Sequence, residues 1–153
     1  MASIKQRLPY KGRGRIHNNK GFWVIQVSEL YFVTGQSIKV DHRNSSDVVE
    51  FFVKMAKRFT NKYSQRTRYI EEPRSDGAGL HISLIPNNNC IYNEGHYVSF
   101  KIDNSELSEY GDGYGGGYIT LKVRKQFPFT NDDSGLKAND PGFQPHITIG
   151  RIR

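Results

Sequence analysis

Five stretches of the chain are rich in β-branched and aromatic residues, and one stretch repeats its apolar positions at a helical period. The run Gly21-Phe22-Trp23-Val24-Ile25-Gln26-Val27 reads as a strand, and 30–33 either continues it or starts another, with a turn at Gly35. Further strands are predicted at 80–85, ended by Pro86 and Asn87-Asn88-Asn89, and at 97–102, 118–123 and 146–152. Between them, Val48, Phe52, Met55, Phe59 and Tyr63 recur at spacings of four, three, four and four, which predicts an amphipathic helix over 47–65. Asp47 and Glu50 have capping-box spacing, and Lys54, Lys57, Arg58 and Lys62 make up its solvated side. The glycine-rich stretch 110–117 lacks the order of a phosphate-binding loop and reads as a flexible hairpin connection. A second loop, 130–142, leads to the last strand. Strand, helix, then mostly strand predicts an α+β fold with antiparallel sheet.

Length and composition bound the function classes. A chain of 153 residues, 36% hydrophobic and 24% charged, is one domain with enough apolar surface for a core. The single cysteine, Cys90, excludes an internal disulfide framework and a cysteine-rich zinc site. The chain shows no apolar leader and no run long enough to cross a membrane as a helix, so a cytoplasmic protein is expected. The net charge of +7 is uneven: six of the 22 basic residues and none of the 15 acidic ones lie in the first 20 positions, leaving the other 133 residues at +1. Residues 1–20 therefore read as a basic N-terminal arm ahead of a single domain, 21–153. On charge alone it is a solvated terminus, and its functional reading is contact with phosphates.

The candidate chemistry lies in a repeated motif. His81-Ile82-Ser83-Leu84 and His146-Ile147-Thr148-Ile149 each set a histidine and a hydroxyl residue in alternation with aliphatics. On a strand, His81 and Ser83 share one face roughly 6–7 Å apart, as do His146 and Thr148, while the aliphatics take the other. If the strands lie side by side, four polar groups converge. One neutral imidazole can accept a proton from an attacking hydroxyl or water and the other, as imidazolium, can donate to the leaving oxygen. Ser83 and Thr148 would hydrogen-bond the non-bridging phosphate oxygens. Neither is read as a covalent nucleophile, because no orienting carboxylate accompanies it.

This paired pattern resembles the 2H phosphoesterase superfamily, whose hallmark is two strand-borne HxT or HxS motifs flanked by aliphatics. Gln144-Pro145-His146-Ile147-Thr148-Ile149 is similar to the second motif and Gly79-Leu80-His81-Ile82-Ser83-Leu84 to the first. The resemblance implies a bilobed α+β fold with antiparallel sheets forming a central cleft. It also implies metal-independent cleavage of phosphodiesters in cyclic or short oligonucleotides, without a cofactor. Small viral and phage members degrade oligonucleotide second messengers of host immunity, cyclic oligonucleotides or 2′,5′-oligoadenylate, which would put the protein in the host cytoplasm. Only five residues follow Thr148, so the second lobe is expected to be abbreviated or completed by the N-terminal segment.

Substrate contacts are expected from Arg13 and Arg15 in the arm and from Tyr10 and Phe143 as a base-stacking pair. Arg151 is a further candidate phosphate contact; it is at an odd offset from His146 and reaches the same face only if Gly150 marks a bulge. His17, His42 and His96 fit neither motif, and no histidine spacing matches a metal site. Two other readings stand beside the enzyme. One is a non-catalytic RNA-binding module using the basic arm and strand aromatics, with structural histidines. The other is an interaction protein assembled through the glycine-tyrosine loop. No membrane partner is expected, and the substrate partner is a nucleotide or oligonucleotide.

Overall fold

In the computed structural model, residues 4–40, 50, 51, 54, 79–84, 94–111, 117–124 and 145–152 are described. They comprise a four-residue helix, α1 (Ile4–Arg7), and seven strands: β1 (Lys11–Asn19), β2 (Phe22–Tyr31), β3 (Ser37–Lys39), β4 (His81–Ser83), β5 (Tyr97–Gly111), β6 (Gly117–Val123) and β7 (His146–Ile152). The strand order is β1-β5-β6-β7-β4-β2-β3, and an additional pairing of β1 with β2 closes six strands into an antiparallel barrel. β3 extends β2 outside that ring.

The closure corrects the expectation of a bilobed α+β fold with a central cleft. A cleft between lobes needs a break in the sheet, whereas β1 pairs with β2 on one side and β5 on the other and removes the edge at which the sheet would open. The N-terminal segment is thus a structural member of the domain, and residues 11–19 are not an arm. β1 escapes the hydrophobic pattern because its buried positions are Gly12, Gly14 and Ile16, alternating with exposed Lys11, Arg13 and Arg15. A Cβ on Gly12 would lie 2.5 Å from the Phe100 ring, and one on Gly14 would strike the Gln26 carbonyl and lie 2.8 Å from an Ile25 methyl. Glycine here permits close strand packing rather than a turn.

The β1–β2 turn uses Lys20 and Gly21, both at positive φ (53° and 91°), the conformation that two-residue hairpins require. Asn18 Oδ1 accepts the Gly21 N–H at 2.8 Å and secures it. On β2, Ser28 is an extra residue between the Arg13–Glu29 and Gly14–Val27 pairs. β5 is 15 residues long; its first part pairs with β1 and its remainder with β6, with a register irregularity between Asp103 and Ser108. Such a bulged strand bends sharply enough to serve two neighbours around a small barrel.

The aliphatic faces of the six ring strands meet in one core that includes Ile16, Ile25, Ile82, Phe100, Leu121 and Ile147. Leu8, just past α1, joins it fully buried. Of the predicted 47–65 helix, the described positions Glu50, Phe51 and Lys54 are helical, and the Phe51 ring meets Phe32 edge-on at 6.0 Å. The rest of that helix, Cys90, His42, the 130–142 loop and Phe143 lie outside the described residues. The glycine-rich stretch joins antiparallel neighbours, since Tyr110 pairs with Tyr118 and Gly111 with Gly117. Among the described residues no helix is long and apolar enough to cross a membrane.

Candidate functional site

Both motif strands are central. Gly79 (φ 63°) delivers Leu80 into the core, where its carbonyl accepts the Val27 N–H at 2.9 Å, and Leu84 N–H bonds the Trp23 carbonyl at 3.0 Å. β4 is thereby held between β2 and β7, with Ile82 opposite Ile147. In an antiparallel pair this register sets His81 opposite Thr148 and Ser83 opposite His146, all four on the face away from the buried isoleucines. The alternation is visible in burial: Ile82, Ile147 and Ile149 are in the core, whereas His81, His146 and Thr148 are half-buried and Ser83 is exposed. Directly opposed residues have Cβ atoms about 4.5–5.5 Å apart, and the diagonal His81–His146 relation is about 7–8 Å. A phosphate group can sit across that diagonal with one imidazole on either side.

One hydrogen bond sets the tautomer of His81. His81 Nδ1 is 2.8 Å from the Gly79 carbonyl oxygen, which can only accept, so Nδ1 carries the proton and the neutral ring presents its lone pair at Nε2. That is the tautomer of a general base.

Neighbouring strands extend this face in two rows, polar except for the buried Val24. The first runs Arg15, Gln26, His81, Thr148, Thr120 and Ser108, and the second His17, Val24, Ser83, His146, Lys122 and Asp103. Gln26 is buried and accepts the Arg15 Nε–H at 3.0 Å, linking β1 to the row of His81. Among the described residues, the Thr120 and Ser108 hydroxyls are buried without a hydrogen-bond partner. Lys122, beside His146, brings a positive charge to the quartet. Asp103, opposite Lys122, is held below the usual carboxylate range chiefly by the Ser105 hydroxyl, then by the Ser105 N–H, with smaller effects of Arg124 and Lys122.

The expected substrate contacts divide. Arg13 and Arg15 are exposed on β1, with Arg13 over the Tyr97 ring at 5.0 Å. Tyr10 is half-buried with the Lys11 ammonium 5.4 Å from its ring centroid, distant in register from the quartet. In β7 a bulge does occur, but at Ile149: Thr120 pairs with Thr148 and Ile119 with Gly150. Arg151 consequently pairs with Tyr118, in phase with Thr120 and Lys122. His17 is tied to Glu94, its Nδ1 2.6 Å from Oε1.

Sequence patterning does not single out Gln26, Thr120 or Lys122. Their signal is present, however: Gln26 interrupts an apolar run, and Thr120 and Lys122 alternate with Ile119, Leu121 and Val123. Among the described residues, no three His, Cys, Asp or Glu side chains gather as a metal site. Comparison with protein-family models, curated proteins and solved structures finds no match. The resemblance to 2H phosphoesterases therefore rests on the two motifs.

Proposed function

We propose that the protein is a metal-independent phosphodiesterase that cleaves cyclic or short oligonucleotides in the cytoplasm by two-histidine acid/base catalysis. The observation that carries the reading is the Ile82–Ile147 register, which brings both histidines and both hydroxyl residues to one face of adjacent strands. The chemistry needs that quartet and not a bilobed frame.

In this reading His81 Nε2 takes the proton from the attacking ribose hydroxyl or water as the new P–O bond forms. His146, as imidazolium, donates its proton to the departing oxygen as the old P–O bond breaks. Ser83 and Thr148 donate hydrogen bonds to the non-bridging oxygens, and Lys122 offsets their charge as it grows in the transition state. Each proton transfer is worth roughly 10²–10⁴-fold in rate. The test is the pH–rate profile of oligonucleotide cleavage in EDTA. An acid/base pair gives a bell within about pH 5–8, the range in which imidazoles change charge, and indifference to the chelator. Loss of activity on chelation would sink the mechanism.

A non-catalytic RNA-binding module has its own supporting observation, the exposed cation–aromatic face of β1. It predicts binding without product.

A further inference from the structure

We infer that the polar face of β1 is a track for the backbone of a single-stranded nucleic acid, leading to the quartet through Arg15 and Gln26. Only its end point rests on the phosphodiesterase reading; the track itself stands on β1.

Lys11, Arg13 and Arg15 are exposed at alternate positions of one strand, with Gly12, Gly14 and Ile16 turned into the packed side. Pairing on both edges by β2 and β5 holds these cations in a line, about 6.8 Å apart at their backbones. That step is comparable with the spacing of successive phosphates in an extended single strand. Among the described residues no carboxylate forms an ion pair with any of the three. Glu29, opposite Arg13, accepts the Tyr31 hydroxyl at 2.6 Å, and Glu94, whose carboxylate also feels the charge of Arg15, is hydrogen-bonded by His17 and the Asn18 N–H.

Aromatic rings are interleaved with the charges. Lys11 lies over Tyr10 and Tyr31, at 5.4 and 5.2 Å from the ring centroids, and Arg13 lies over Tyr97. Tyr97 is 52% exposed, one of two large apolar side chains in the described residues left so open. A cationic line beside an exposed aromatic ring is the combination that binds single strands without reading their sequence, through phosphate contacts and base stacking. At its inner end, the Arg15 Nε–H is taken by Gln26, leaving the four terminal N–H donors of the guanidinium for a phosphate. Gln26 is the register partner of His81. The occupant is thus an oligonucleotide with several phosphates beyond the scissile one, in preference to a mononucleotide.

The experiment measures binding without turnover, using the full chain carrying His81→Ala and His146→Ala and fluorescent oligoadenylates of two to ten nucleotides. Affinity should rise steeply up to about five nucleotides and then flatten. For the RNA hexamer, log Kd against log salt should have a slope of about 2, three single-strand phosphate contacts at about 0.7 each. Adding Arg13→Ala and Arg15→Ala should lower that slope by about 1.4, whereas Arg13→Lys and Arg15→Lys should preserve it. Tyr97→Ala should weaken binding about tenfold. The DNA hexamer should bind as the RNA hexamer does, since the contacts are to phosphates and ring faces. Equal affinity for the dimer and hexamer, or a slope unaffected by the alanine pair, would overturn the track. If the wild type cleaves nothing while the length and salt behaviour hold, the catalytic reading fails and the track survives. If the wild type cleaves dimer and hexamer with equal kcat/KM and the variant binds them equally, the track fails and the catalysis survives.

Discussion

Ile82 and Ile147 face each other across β4 and β7, both fully buried. This pair marks the register of the motif strands, which the pairings of β4 with β2 and of β7 with β6 also hold, and a one-residue slip would send one histidine–hydroxyl pair into the core and its isoleucine to the surface. Burial of two apolar side chains thereby aligns four polar ones. Ile147→Ala should destabilise the protein by about 2–5 kcal/mol, and Ile147→Val by about 0.5–1.5 kcal/mol, measured by denaturant unfolding. The valine variant retains the register and should keep the wild-type rate.

The two histidines should fail differently. With a p-nitrophenyl ester, whose leaving group departs without a proton, His146→Ala should retain most activity while losing at least about 10²-fold on an ordinary dinucleotide. His81→Ala should lose both, because the base is needed whatever leaves. Equal losses on the two substrates for both variants would abolish the role assignment drawn from the Gly79 hydrogen bond, and sparing of His81→Ala on the p-nitrophenyl ester would reverse it.

Much of the strand content was legible from β-branched and aromatic runs, and the motif alternation predicted the division of each strand into core and polar faces. The barrel was not legible, for two physical reasons. β1 encloses its core side with glycine, so it carries no hydrophobic period, and its charges make it read as a solvated arm. Closure is also a long-range property: β4 lies between β2 and β7, and β5 serves both β1 and β6, relations that no local pattern encodes. The site shows the same split. His81, Ser83, His146 and Thr148 stand out by repetition, whereas Gln26, Thr120 and Lys122 acquire meaning only from the register of neighbouring strands.

The glycines of β1 offer a test of the closure. Gly14→Ala sets a methyl against the Gln26 backbone, which cannot move without disturbing the β1–β2 ladder. It should cost about 1–3 kcal/mol of stability or more in thermal or denaturant unfolding. A neutral Gly14→Ala would mean that the strands are further apart than described.

Thr120→Val should raise the melting temperature. The Thr120 hydroxyl is buried and has no hydrogen-bond partner among the described residues, so an isosteric methyl removes a desolvated polar group without opening a cavity, a gain of about 1 kcal/mol. A loss of stability would show that the hydroxyl has a partner.

Acid should weaken the β1 terminus through Glu94. Its carboxyl is held below the ordinary 4.5, first by the hydrogen bond with His17 and then by the Asn18 N–H. A lowered folded value means that this contribution is complete above about pH 4.5 and disappears as the pH falls through the folded value. Glu94→Gln should therefore flatten the acid limb of the stability–pH curve. An unaltered acid limb would contradict the assignment.

The central claim is that the aligned quartet cleaves phosphodiesters. The most direct measurement is chromatography with mass detection of 3′,5′-cyclic di- and trinucleotides, 2′,5′-oligoadenylate, 2′,3′-cyclic mononucleotides and short RNA, incubated in EDTA with wild type, His81→Ala and His146→Ala. Wild type should give product from at least one oligonucleotide, and either variant none from the same substrate. Full activity in either variant, or no product from any substrate with wild type, would contradict the claim.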